Sequence, residues 1–116
     1  MIALSPGARV YLACGTTDMR RGMASLAMLV QQALLESPFD GAIHVFRGRR
    51  AGLIKLLWHD GVGLCLLTKK LEQGQFIGPS TTTTGRIALS APQLAALLDG
   101  CDWRAPLPRR RPELAG

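Results

Sequence analysis

Residues 53–70, LIKLLWHDGVGLCLLTKK, set the tightest limit on what this chain can become. Two runs rich in Leu, Ile and Trp flank Asp60-Gly61, a dipeptide suited to the positive φ angles of a tight hairpin turn. Strands joined this way are antiparallel neighbours. Neither run alternates cleanly between apolar and polar, so one face of the sheet is expected to be fully covered and the other partly so.

The rest of the chain supplies partners for that hairpin. ARVYLAC (8–14) has the β-branched and aromatic content of a short strand, and Gly15 to Asp18 follow with turn and N-cap chemistry. Met19, Met23, Leu26, Val30 and Leu34 recur at three- and four-residue steps, which predicts an amphipathic helix over about 19–35. Pro38 and Gly41 forbid its continuation. AIHVFR (42–47) predicts a second strand. After the hairpin, Gln73-Gly74 make a weaker turn into a further strand around 75–79, PSTTTTG (79–85) is a polar connection, and RIALS (86–90) is one more strand. Ser90 caps a second helix with Pro92 in its first turn and Leu94, Leu97 and Leu98 on one face, and Gly100 ends it. The expected fold is α+β: a mostly antiparallel β-sheet of about five strands with two helices packed on it. Residues 1–104 form a single domain in this reading. The tail 105–116, with Pro106, Pro108, Pro112 and Arg109 to Arg111, is expected to be a disordered basic arm.

A chain of 116 residues is one domain by length and can bury a core without staples. Fourteen Lys+Arg against eight Asp+Glu leave a net charge of +6. Such an excess draws a small domain to polyanions, of which nucleic acid is the commonest in a cell. Basicity that aids solubility, or that docks an acidic partner, gives the same composition. Cys14, Cys65 and Cys101 are odd in number and widely spaced, without a C-x2-C pair. They are expected to be reduced and mostly buried, in a cytoplasmic protein. Pro6, Gly7 and Arg9 interrupt the only apolar opening, so no signal peptide is expected. No apolar run approaches the roughly 20 residues that cross a bilayer, and no membrane partner is expected.

Catalytic patterns are missing from the sequence. A two-metal nuclease or transposase site needs about three carboxylates converging on Mg²⁺. Here Asp18, Glu36, Asp40, Asp60, Glu72, Asp99, Asp102 and Glu113 all fall in turns, caps or the tail. His44 and His59 belong to no His-x-His or H-E-x-x-H pair. A Cys/His nucleophile pair assembled in space is the arrangement left, for instance His59 with Cys65 across the hairpin, and neither stands beside a Gly-rich elbow. GRRAG lacks the pattern of a phosphate loop. The reading is of a protein that is not an enzyme and takes no cofactor or metal.

Basic groups give the sharper signal. Arg47, Arg49 and Arg50 crowd the connection between two strands, and Lys69 and Lys70 lie near the end of the hairpin. In an antiparallel sheet these could share one edge and form a phosphate-binding surface. Few aromatics interleave with them, so a base-stacking platform is unsupported. Arg20 and Arg21 open the first predicted helix, where positive charge opposes the helix dipole at ~0.3–1 kcal/mol per charge. Either the helix starts later or an anion compensates. Asp18 can supply that charge alone; a phosphate held by the helix N-terminus and both arginines is the alternative.

Three stretches carry a family resemblance: GTTDMRRGMASLAMLVQ early, VFRGRRAGLIKLLWHDGVGLCLLTKKLEQGQF in the middle and LDGCDWRAP late. TDMRRG at 17–22, FRGRR at 46–50, WHDGVGL at 58–64 and KKLE at 69–72 are the most specific parts. In this order and spacing, over about 2–106, the chain resembles the TnpB accessory protein of the IS-sixty-six family of bacterial insertion sequences. That protein is unrelated to the RNA-guided nuclease of the same name. The resemblance implies a small protein that supports transposition beside the element-encoded transposase, with no established catalytic residues. His59, Gly52, Gln75 and Gly78 depart from the residues common in the family, and the last two weaken a contact surface around 75–79. Two readings stay open: a factor that binds DNA, or the transposase–DNA complex, through Arg47, Arg49, Arg50, Lys69, Lys70, Arg20 and Arg21, and a module that docks on the transposase without touching DNA.

Overall fold

A computed structural model describes residues 7–50, 52–79 and 85–104. Five strands and two helices alternate as β1 (Val10–Ala13), α1 (Met23–Gln32), β2 (Ile43–Arg47), β3 (Leu53–His59), β4 (Leu64–Lys70), β5 (Arg86–Leu89) and α2 (Ala91–Leu98). They build one sheet in the order β4-β3-β2-β1-β5. β1 and β2 are parallel, joined through α1, and the other neighbours are antiparallel. The expected α+β architecture is the observed one. Among the described residues no helix is long and apolar enough to cross a membrane.

Side chains alternate across a pleated strand, which sorts the core into two layers. Val10, Leu12, Ile43, Val45, Ile54 and Leu56 face one side and pack with Leu94 and Leu97 of α2, Phe76 and Trp103. Ala13, Phe46 and Leu57 face the other and pack with Leu26, Ala27 and Val30 of α1. One helix on each face explains why the central strands are apolar at nearly every position.

At the hairpin tip the Asp60 N–H donates to the Gly63 carbonyl at 3.0 Å. The Asp60 carboxylate accepts from the N–H groups of Val62 and Gly63, each at 2.9 Å. Gly61 takes φ 96°, a region closed to most other residues. The α2 cap is also as the sequence predicts: Ser90 Oγ accepts from Gln93 N–H, and Gln93 Oε1 accepts from Ser90 N–H.

Two predicted elements differ. α1 begins at Met23 rather than near 19, because Asp18 competes for the local backbone. Its Oδ1 accepts from Arg20 N–H at 2.9 Å and its carbonyl from Arg21 N–H at 3.1 Å, closing a turn that leads into an extended Gly22 N-cap. Its end comes at Gln32, and Leu35 enters the left-handed region (φ 55°), which costs roughly 1–2 kcal/mol for a residue with a Cβ. Residues 75–79 form no strand. They cross the α2 side as irregular chain, held by buried Phe76 and by Trp103 Nε1–H donating to the Ile77 carbonyl at 2.6 Å. The expected basic arm at 105–116 and most of the polar connection 79–85 lie outside the described residues.

Candidate nucleic-acid interface

Where β1 ends and α1 begins, the loop 14–22 meets the β2–β3 turn. Thr17 N–H donates to the Arg47 carbonyl at 2.9 Å, and Gly48 N–H closes the turn onto the Leu53 carbonyl at 2.9 Å. An open groove of ≈ 500 Å³ runs between the two segments, with Thr16, Asp18 and Arg20 on one wall and Arg49, Arg50 and Leu53 on the other. Arg49 and Arg50 are exposed, and among the described residues their side chains make no hydrogen bond or ion pair. Lys70, also exposed, lies across the ladder from Leu53, so it stands on the same side of the sheet as that groove wall.

Arg20 is compensated. Its Nη2 lies 2.7 Å from Asp18 Oδ2 and its Nε 3.0 Å from Oδ1. These hydrogen bonds hold the Asp18 carboxyl far below the usual carboxylate range, and they raise the arginine in turn. Arg21 points elsewhere: its Nη1 donates to Ser25 Oγ at 2.8 Å, and its carbonyl accepts from Lys55 Nζ at 2.8 Å. The late helix start and Asp18 thus both answer the charge at 20–21, and the two arginines are not brought together as a phosphate clamp.

The pleat divides the remaining basic residues. Arg47 and Lys69 fall on the α2 side, in line with Val45 and Ile54, instead of joining Arg49 and Arg50. The Arg47 guanidinium lies against Gly78, where a Cβ would collide with it, and among the described residues its buried Nε has no hydrogen-bond partner. Lys69 Nζ donates to the Leu98 carbonyl at 2.7 Å, at the C-terminal end of α2 where a cation is favoured. The expected single surface of five basic residues is therefore split into an exposed set and an engaged set. Lys55 and Arg86 were not singled out from the sequence. Lys55 ties β3 to the start of α1; Arg86 pairs with Glu36 at 2.9 Å and lies 4.4 Å over the Tyr11 ring. Nothing in their sequence context marks them, because both act through residues more than 30 positions away.

His59 and Cys65 are not brought together as a dyad. His59 and Trp58 are consecutive, and Cys65 pairs with Trp58, so His59 and Cys65 project from opposite faces. Partial desolvation, and then the neighbouring Asp60 carboxylate, push the Cys65 thiol up, away from a nucleophilic thiolate. The carboxylates are dispersed: Asp40 pairs with Arg9, Asp60 holds its turn, and Asp102 pairs with Arg104. Among the described residues no group of three His, Cys, Asp or Glu could hold a metal ion. The cysteines are free, but less buried than expected: Cys14 and Cys65 are half-buried and Cys101 is exposed. Trp58 is likewise half-buried, against the α2-side core.

Comparison with known proteins finds one family and two relatives of similar sequence. The sequence model of the family described as "IS66 Orf2 like protein" matches residues 8–108. "Uncharacterized protein y4hO" of Sinorhizobium fredii (strain NBRC 101917 / NGR234) is 47% identical over 116 residues, all of both chains. "Uncharacterized protein y4jC" of the same organism is 41% identical over 103 residues, covering 89% of this chain and 87% of the relative. No solved structure matches. On the extent of that family match, the chain belongs to the IS66 Orf2-like protein family.

Proposed function

We propose that this transposition-associated accessory protein binds element DNA, alone or within the transposase–DNA complex, through the groove between residues 16–20 and 48–53. The supporting observation is the pair Arg49 and Arg50, held at a turn, exposed and without an acidic partner among the described residues. Folding does not need them there. Arg20 and Lys70 flank them, and the groove carries no aromatic side chain. That chemistry suits phosphates rather than bases, so binding is electrostatic, weakly sequence-selective and steeply dependent on salt. The protein works in the cytoplasm, where the element's DNA and transposase meet.

A mobility-shift titration of the element's terminal-repeat DNA tests this. Arg49→Ala with Arg50→Ala is expected to weaken binding roughly tenfold per arginine near 0.1 M salt. Unchanged affinity in the double variant would remove the groove from consideration.

One observation favours docking on the transposase without DNA. Met28, 52% exposed, lies on the outer side of α1 and lines a shallow hollow with Arg21, Ser25 and Gln32. Capture of transposase from nuclease-treated lysate separates the readings. Retention after DNA removal, abolished by Met28→Glu, supports docking; loss of association on DNA removal supports the groove.

A further inference from the structure

The sheet has two edges, β4 and β5, and they are protected unequally. β5 has four residues, and its Arg86 is held by Glu36 and Tyr11. β4 has seven, and Leu64 to Thr68 include no charge, proline or glycine, the features by which edge strands block further pairing. Along its length β4 is only half-buried or exposed.

Ladder parity shows which backbone groups face outward. Asp60 N–H bonds the Gly63 carbonyl and Leu71 N–H bonds the Gly52 carbonyl, so Cys65, Leu67 and Lys69 direct their polar groups to β3. The N–H and C=O groups of Leu64, Leu66, Thr68 and Lys70 point away from the sheet. Among the described residues they have no partner there.

We propose that β4 pairs antiparallel with β4 of a second copy of this chain, about a two-fold axis at Leu67. Two five-stranded sheets then become one. In this register Leu66 pairs with Thr68 of the second copy and Leu64 with Lys70, each pair exchanging two N–H···O bonds. Leu67, apolar yet 36% exposed, meets its own counterpart on the axis. On the same face Lys69 comes opposite Cys65 of the second copy, whose Sγ lies 3.5 Å from Asp60 Oδ2. Hydrogen bonds and apolar contact are both self-complementary in one register, which an unrelated strand does not offer. This surface meets the arginine groove only at Lys70, whose backbone it uses.

Sedimentation velocity of the full chain over a range of concentrations tests the pairing. The expected species has twice the 12.5 kDa chain mass. Thr68→Pro removes an outward N–H and leaves the ladder to β3 intact, so the far-UV circular dichroism should be unchanged. Two lost hydrogen bonds across the axis raise the dimer dissociation constant about thirtyfold. Leu67→Lys, which sets like charges on the axis, gives the same shift and decides the matter alone should the proline variant fail to fold. A wild-type chain that stays monomeric at every concentration overturns the proposal, including one whose β4 amides gain exchange protection only when transposase is added. So does a folded Leu67→Lys variant that remains dimeric.

Discussion

Arg47 and Lys69 on one side of the sheet, and Arg49 and Arg50 at its end, carry the same charge and are employed in opposite ways. Arg47 is laid over the backbone at Gly78, and Lys69 closes the C-terminal end of α2. Arg49 and Arg50, two and three residues past the end of β2, touch no acid among the described residues. The difference is one of direction. A strand residue is committed to a face by the pleat, whereas a turn residue projects beyond both layers. Arg47 and Lys69, on the strands, are absorbed into the fold, whereas Arg49 and Arg50, on the turn, remain for a partner.

That division can be broken experimentally, most strongly from the structural side. Trp103, buried and bonded to the Ile77 carbonyl, anchors the irregular segment that covers the α2 layer. Trp103→Ala is expected to lower unfolding stability by about 3–5 kcal/mol in urea titration. DNA affinity of the fraction still folded should not change. Lys69→Ala should cost about 1–2 kcal/mol, through loss of a charge-assisted bond at a helix end. A reduction in DNA affinity comparable to that of an Arg49 or Arg50 substitution would mean that Lys69 belongs with the exposed set.

A pH titration probes the α1 side. His44 is 1% exposed and stacks on Tyr11. Asp40, Glu36, Arg86 and the Ser37 backbone are its polar surroundings. Desolvation dominates and lowers its pKa below the ordinary value near 6.5. The unfolded chain then binds the proton more readily than the folded one. The stability contribution is therefore complete above that ordinary value and is lost as pH falls below it. Thermal unfolding from pH 8 to pH 5 should show this decline, and His44→Leu should flatten it. An equal decline in the variant would assign the effect to another group.

Much of this architecture is legible in the sequence because local chemistry and tertiary packing agree. Asp60-Gly61 makes the hairpin, and Ser90, Gln93 and Pro92 start α2. Where they disagree, the sequence misleads. Met19 continues the helical spacing of α1, but the Asp18 carboxylate captures the backbone first. Gln75 to Pro79 look like a strand, yet they serve as a cover for the core. The candidate site is hidden for a different reason. With a helix on each face, β2 is buried on both sides, which erases the alternation that would show where Arg47 points. Composition reveals the positive charge; only the pleat reveals which residues are left to use it.

The most direct test of that division is the slope of log binding constant against log salt for terminal-repeat DNA. Removing two phosphate contacts with Arg49→Ala and Arg50→Ala should make the slope shallower by about 2, while Lys69→Ala leaves it as in the wild type. Equal slopes for the wild type and the double arginine variant would contradict the account.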